Sequence, residues 1–314
     1  GPDTLAGSLM LPKDDPAKPG PRPALVLVGG SGPTARDETV VGFAVFHTLA
    51  EKLAAAGYAT LRFDDRGVDE SQGDYTQADM NAFAGDAAAA VAALRARPEV
   101  NGQRVGLLGH SEGAMLAPQI ATLVQQQSGR PVWCAVLMAG STERGGDIIL
   151  EQQEHGLAQS DWSDEVKERK RQLQRQVYAF VEGKADWSTV IAQADSDEVA
   201  ALEAQKPTIE SPWFRSFLAY DAKPWLRQMG KPPVLVLHGE LDTQIPVRHG
   251  AALRDSLKAT GNDRVSYVPA RGMNHLFQLA KTGEVAEYGE LKPEFATGFV
   301  ERIVAFLAMC ERMK

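Results

Sequence analysis

The chain has 314 residues, a net charge of −8 at pH 7, and a composition that is 44% hydrophobic and 24% charged. This balance is that of an ordinary globular protein and excludes extended disorder, while the acidic charge argues against a general affinity for nucleic acids or anionic membranes. No apolar stretch approaches the roughly 18 residues that a membrane-spanning helix needs.

Apolar runs alternate with helix-prone segments through the first 140 residues. The run at 24–28 predicts a buried strand, followed by the glycine-rich loop Gly29-Gly30-Ser31-Gly32-Pro33. Strands are also expected at 59–63, 105–108, 132–138, 234–237 and 264–268, with helices at about 45–56 and 78–97. This alternation predicts an α/β fold with a mostly parallel central sheet flanked by helices.

Between residues 140 and 232 the alternation stops. Apolar residues at near-helical spacing predict one helix up to Val181, Val199 and Leu202 indicate a shorter one, and Ser211-Pro212 is a typical start for a third. A length of 314 residues allows one α/β unit with an insertion. We therefore expect residues 1–140 and 231–314 to form the core and 141–230 to form a helical cap over the active edge of the sheet.

The cysteines and the first residues bear on the cellular compartment. Two cysteines, Cys134 and Cys310, do not indicate a disulfide framework, and we expect two buried thiols. The start Gly1-Pro2 resembles the scar that tag removal leaves, so a trimmed natural N-terminus is one interpretation. Both a cytoplasmic and an exported location stay open.

The pentapeptide Gly109-His110-Ser111-Glu112-Gly113 follows a predicted strand and precedes a predicted helix. A serine on a tight strand-to-helix turn is typical of a nucleophile elbow, in which small flanking residues leave room for a strained backbone. A serine hydroxyl is a poor nucleophile until a base removes its proton. The motif therefore predicts a histidine and a carboxylate later in the chain.

Both partners occur in the expected order. Asp242 follows the strand at 234–237 by a few residues, and we favour it over Glu240 because its place in the loop better matches the known pattern of such sites. His275 follows the last predicted strand, and histidine can accept and return a proton near neutral pH. We expect Ser111, Asp242 and His275 to meet beyond the carboxyl ends of the strands.

Acyl transfer also needs N–H donors for the oxyanion that develops on the substrate. One is commonly the backbone N–H directly after the nucleophile, which here belongs to Glu112. We expect the N–H of Ser31, in the glycine-rich loop, to supply the other. A phosphate cradle is the alternative interpretation of this loop, but the lysine of a nucleotide P-loop is absent.

The chain resembles the α/β-hydrolases, specifically the esterase-like group related to serine aminopeptidases and dienelactone hydrolases. The resemblance rests on segments spread along the chain: Gly30-Ser31-Gly32-Pro33 with Arg36-Asp37-Glu38, Asp64-Asp65-Arg66-Gly67, Gly109 to Gly113, Ser211-Pro212-Trp213-Phe214, Gly239-Glu240-Leu241-Asp242 and Asn274-His275-Leu276-Phe277.

The resemblance implies Ser111 as nucleophile, His275 as base, Asp242 as its orienter, and Ser31 with Glu112 as oxyanion donors. It also implies hydrolysis of carboxylic esters without a metal or an organic cofactor. Two positions depart from the family pattern, since Asp69 and Ala114 stand where glycine is common.

We therefore expect an enzyme that hydrolyses small esters of short-to-medium acyl chains through an acyl-enzyme intermediate. A serine peptidase or aminopeptidase, or a thioesterase, would use the same triad. A noncatalytic binding protein would be expected to have lost a triad member, and none is lost here. The oligomeric state is left open, and the residues expected to contact substrate are Gly30, Gly32, Trp213, Phe214 and Phe217.

Overall fold

The computed structural model describes residues 4–13, 16 and 19–313, so the Gly1-Pro2 start lies outside the described residues. The strands, in chain order, are β1 (Gly7–Met10), β2 (Arg22–Val28), β3 (Thr39–Val40), β4 (Phe43–Ala44), β5 (Ala59–Phe63), β6 (Val100–His110), β7 (Ala135–Met138), β8 (Val234–Gly239) and β9 (Val265–Ala270).

The α-helices follow the same chain order. They are α1 (Val45–Ala55), α2 (Met80–Arg95), α3 (Glu112–Ser128), α4 (Gly145–Gln159), α5 (Asp164–Val181), α6 (Trp187–Ile191), α7 (Ser196–Ile209), α8 (Pro212–Ala219), α9 (Lys223–Gln228), α10 (Arg248–Ala259) and α11 (Phe299–Arg312).

Within the described residues, one seven-stranded sheet has the order β1-β5-β2-β6-β7-β8-β9. Every neighbouring pair is parallel except β1 with β5, which is antiparallel. The long strand β6 lies in the middle of the sheet, where Val28 pairs with Gly109 and His110 pairs with Met138. The predicted α/β class with a mostly parallel central sheet is confirmed.

The central strands are apolar on both faces because helices cover both faces. Leu25, Leu27 and Leu237 belong to a core cluster that also holds side chains of α1 and α11. On strands, successive side chains point to opposite faces, so Val26 and Val236 face the other layer. There α3 contacts β6 and β7, and α10 contacts β8 and β9.

The chain divides into two compact units. The first holds the described residues up to Tyr75, then Ala82–Thr142 and the described residues from Ala222 on, and it contains the main sheet. The second consists of Thr76–Asn81 and Glu143–Asp221. Its core is formed by Leu173, Val177 and Val181 of α5 together with Val190 and Ile209.

The second unit contains more helices than the sequence predicted. The three predicted helices correspond to α5, α7 and α8, while the sequence patterns did not predict α4 or the short α6. Helix α4 begins with Gly145 and Gly146, and a Cβ on Gly145 would overlap Phe217 of α8. None of the described helices is both long and apolar enough to cross a membrane.

Candidate active site

The predicted nucleophile lies on a strained turn at the end of β6. Ser111 has φ 54° and ψ −116°, a left-handed conformation that a serine rarely adopts. A Cβ on Gly109 would overlap the backbone of Gly113, and a Cβ on Gly113 would overlap the carbonyl of Val28. Gly109 therefore lets the end of β6 lie against the start of α3, and Gly113 lets α3 lie against the end of β2, which is the close packing that the motif predicts.

A backbone hydrogen bond also holds the Ser111 turn, which directly precedes helix α3. The Ser111 N–H donates to the carbonyl of Met138 at 2.9 Å, which ties the turn to the end of β7. Glu112 is the first residue of α3, and the N–H groups of a helix N-terminus point away from the helix and favour negative charge. This is the geometry in which the Glu112 N–H could stabilise an oxyanion.

The predicted acid and base are hydrogen-bonded to each other. His275 Nδ1 lies 2.8 Å from Asp242 Oδ2, and both side chains are buried. Asp242 Oδ1 accepts the backbone N–H groups of Gln244 at 3.0 Å and Ile245 at 2.8 Å. The rival acid Glu240 is exposed. Of the two candidate carboxylates, Asp242 is therefore the one that the fold directs at His275.

The protonation state of Asp242 follows from these contacts. Burial would raise the pKa of Asp242, but His275, then His238 and the Ile245 N–H, outweigh burial and hold this pKa below its ordinary value. Asp242 is thus ionised at neutral pH. An ionised carboxylate at Nδ1 fixes the His275 tautomer and leaves Nε2 as the nitrogen that can accept a proton.

A second imidazole, His238, supports this carboxylate loop and was not singled out by the sequence patterns. His238 Nε2 lies 2.6 Å from the carbonyl of Ile245 and 3.6 Å from Asp242 Oδ2. Burial lowers the pKa of His238, so the ring is neutral and its Nε2–H donates to Ile245. This bond closes the turn whose N–H groups hold Asp242.

The glycine-rich loop after β2 forms one wall of a cavity of about 410 Å³. Gly30, Ser31, Ser111 and His275 line this cavity together, so the structure brings the predicted nucleophile, base and one oxyanion residue around one space. Gly32, the other predicted contact in the loop, has φ 94° and forms the turn between Ser31 and Pro33. Cavities of this size suit small-molecule ligands.

A buried pair, Glu38 and His110, also lines this cavity. His110 Nδ1 is 2.9 Å from Glu38 Oε1, and the same oxygen accepts the Gly30 N–H at 2.7 Å. On its other side, His110 Nε2 is 3.0 Å from the carbonyl oxygen of His275. The sequence contained a signal for this pair, since Glu38 and His110 both lie in the resemblance motifs, but no pattern indicated that they meet.

The predicted aromatic contacts lie in the second unit. Trp213, Phe214 and Phe217 are on α8, where the Trp213 ring lies 5.9 Å from Phe214 and 5.8 Å from Phe217. Phe217 is buried beside Gly145. Their assignment as substrate contacts, and that of residues 141–230 as a cap, stay predictions.

Parallel strands that deliver a strained serine, then an acid and then a histidine to one edge of a sheet define the α/β-hydrolase class of folds. The family model described as serine aminopeptidase, S33, matches residues 42–276. Because this match covers most of the chain, the chain belongs to that family of α/β hydrolases.

A sequence relative and several solved structures are similar to this chain. Esterase EstD of Thermotoga maritima is 40% identical over 117 residues, a match that covers 37% of this chain and 27% of that protein. The chain thus spans about a quarter of the length of this curated relative (27%).

The structural likeness covers nearly the whole chain. Est1E of Butyrivibrio proteoclasticus with bound ferulic acid has a TM-score of 0.56 at 15% identity, covering 98% of this chain and 95% of that one. Proline iminopeptidase of Mycobacterium smegmatis has a TM-score of 0.57 at 16% identity, covering 99% and 96%. At such identities the likeness shows the shared fold.

Proposed function

We propose that this protein is a carboxylic ester hydrolase with Ser111 as nucleophile, His275 as general base and Asp242 as the residue that orients His275. The observation that carries the proposal is the 2.8 Å bond from His275 Nδ1 to the buried Asp242, combined with a strained Ser111 that lines the same cavity as His275. The 40% identity of a 117-residue segment to an esterase supports it.

The proposed reaction has two halves. His275 Nε2 takes the Ser111 Oγ proton as Oγ bonds to the ester carbonyl carbon, and the N–H groups of Ser31 and Glu112 stabilise the oxyanion. His275 returns the proton to the leaving alcohol as the C–O bond breaks. Water, deprotonated by His275, then attacks the acyl-enzyme, and the acid leaves as Ser111 regains its proton.

A panel of p-nitrophenyl esters from acetate to palmitate, assayed with the wild type and Ser111→Ala, tests the proposal. We expect hydrolysis that peaks at short to medium chains and falls by at least about 10³-fold in Ser111→Ala. Thr189→Ala, a change on α6 in the second unit, is a control for handling and folding. Activity that survives in Ser111→Ala would contradict the assignment of the nucleophile.

Amide and thioester hydrolysis are the competing activities because they use the same residues. Aminoacyl p-nitroanilides and acyl-CoA substrates should therefore be assayed in the same series. The esterase proposal predicts a higher kcat/KM for esters than for either class. A preference for an aminoacyl anilide would instead favour the aminopeptidase alternative.

A further inference from the structure

We propose that His110 is a permanently protonated imidazolium, paired with Glu38, which positions His275 and Ser111 and keeps His275 in its proton-accepting form. The inference rests on the proposed function for the role of His275. It assigns a charge and a task to two residues that lie outside the Ser111, His275 and Asp242 set.

The charge follows from the two partners of the His110 ring. Nδ1 faces the carboxylate oxygen Glu38 Oε1 at 2.9 Å, and Nε2 faces the backbone carbonyl of His275 at 3.0 Å. Both partners are hydrogen-bond acceptors. A neutral imidazole carries one N–H and would direct a lone pair at one of these oxygens, whereas an imidazolium donates to both.

The surroundings favour this charged pair over two neutral groups. Glu38 and His110 are only 4% and 3% exposed, and a buried charge requires a close partner. Glu38 Oε2 has no hydrogen-bond partner among the described residues, so His110 and the Gly30 N–H carry the stabilisation of this carboxylate. Burial opposes protonation of His110, but the Glu38 charge and hydrogen bond outweigh it and raise the His110 pKa.

The pair joins three segments of the candidate site. Glu38 holds Gly30 in the loop after β2, His110 directly precedes Ser111, and its Nε2 holds the backbone of His275. Glu38 itself has φ 46°, an unfavourable backbone conformation that the surrounding fold must maintain. Loss of the pair would therefore loosen the glycine-rich loop after β2 and the backbone of His275 together.

The cation also affects the base electrostatically. The His110 and His275 ring centroids are 4.8 Å apart, so a positive charge on His110 disfavours a second positive charge on His275. The negative charge of Asp242 faces the rings of His110 and His275 and opposes this effect of the cation. Neutral His238 contacts Asp242 from the side of β8. Glu38 bonds to His110 Nδ1, whereas His110 Nε2 bonds to the backbone carbonyl of His275. The His110 cation is therefore closer to His275 than the negative charge of Glu38 is.

The ring ¹⁵N resonances of His110 test the charge directly and without turnover. In protein labelled with [¹⁵N]histidine, and with the signals assigned by comparison with His110→Gln, we expect both His110 nitrogens to carry protons at about pH 8, well above the ordinary histidine pKa. In Glu38→Gln one of these protons should be lost. Glu301→Gln, an exposed change on α11, should leave the signals unchanged. A nitrogen without a proton in the wild type overturns the proposal.

The pH profile of ester hydrolysis tests the positioning role. In Glu38→Gln, neutral His110 no longer opposes protonation of His275, so the acid limb of kcat/KM should move to higher pH. The plateau value should also fall, by up to about 100-fold.

The outcomes separate this proposal from the proposed function. A lower plateau with an unmoved acid limb would mean a merely structural pair and would overturn the electrostatic role. If the wild type hydrolyses no ester, or Ser111→Ala equals the wild type, the proposed function fails. The ¹⁵N measurement would then still decide the charge of His110.

Discussion

His275 and Asp242 share a hydrogen bond of 2.8 Å, while Glu240, two residues before Asp242, is exposed. This difference yields a paired test. Asp242→Asn should lower kcat for ester hydrolysis by roughly 10⁴-fold because the amide favours the wrong His275 tautomer. Glu240→Gln is the matched control and should stay within about twofold, since a surface change away from the site has little effect. Equal losses in both variants would contradict the assignment of Asp242.

The glycines of the elbow give a test of stability. Gly113→Ala places a Cβ against the carbonyl of Val28 and should lower the free energy of unfolding by about 1–3 kcal/mol through overpacking. Gly85→Ala on α2 meets no atom within 4 Å and should raise it by about 0.5–1 kcal/mol. Denaturant melts of the two variants and the wild type measure both effects. A neutral Gly113→Ala would mean that the elbow is less tightly packed than described.

Asp65 makes stability depend on pH. It accepts the Thr34 N–H at 2.9 Å, and burial, with smaller contributions from Asp86, Glu38 and Asp64, raises its pKa to about 7. The unfolded chain has an Asp pKa of about 3.9, so folding takes up a proton between these values. This contribution to stability is fully present below about pH 3.9 and is lost as the pH rises through about 7.

Asp65→Asn should remove this dependence while its amide oxygen keeps the Thr34 bond. The free energy of unfolding of the variant, relative to that of the wild type, should rise by about 2 to 4 kcal/mol from about pH 4 to about pH 8. Urea unfolding at several pH values measures this difference. Exposed Asp263 supplies the control, since Asp263→Asn should show no such trend. A gain that is independent of pH would exclude a titrating Asp65.

The two cysteines should be unreactive in the folded protein. Cys134 and Cys310 are free and buried, and burial raises the pKa of the Cys134 thiol well above its usual range. Iodoacetamide followed by mass spectrometry should show almost no labelling in native buffer and labelling at both residues in denaturant. Rapid native labelling of Cys134 would show that the start of β7 opens readily.

The sequence predicted most of what depends on local patterns. The apolar runs predicted six of the seven strands of the sheet, with β5 matched at both ends, but not β1. The elbow motif identified the turn that carries Ser111. Helix α4 was missed because its apolar residues are sparse and its first residues are glycines, which disfavour helices in isolation. Packing against Phe217 overrides that preference.

The contact between Glu38 and His110 could not be predicted in the same way. Glu38 and His110 are 72 residues apart, and only the pairing of β2 with β6 brings their loops together. Such features depend on the fold as a whole, and a single sequence carries no local pattern for them.

The position of β6 in the sheet has a consequence for amide hydrogen exchange and partial unfolding. Strand β6 is paired on both sides, by β2 and β7, whereas β9 is one of the two edge strands of this sheet within the described residues. Edge elements open with less free energy than central ones, so the amides of β9 should exchange before those of β6. The His275 loop follows β9 and Ser111 follows β6. Mild denaturant should therefore detach the candidate base while the nucleophile turn stays folded, and catalysis should disappear before the sheet does.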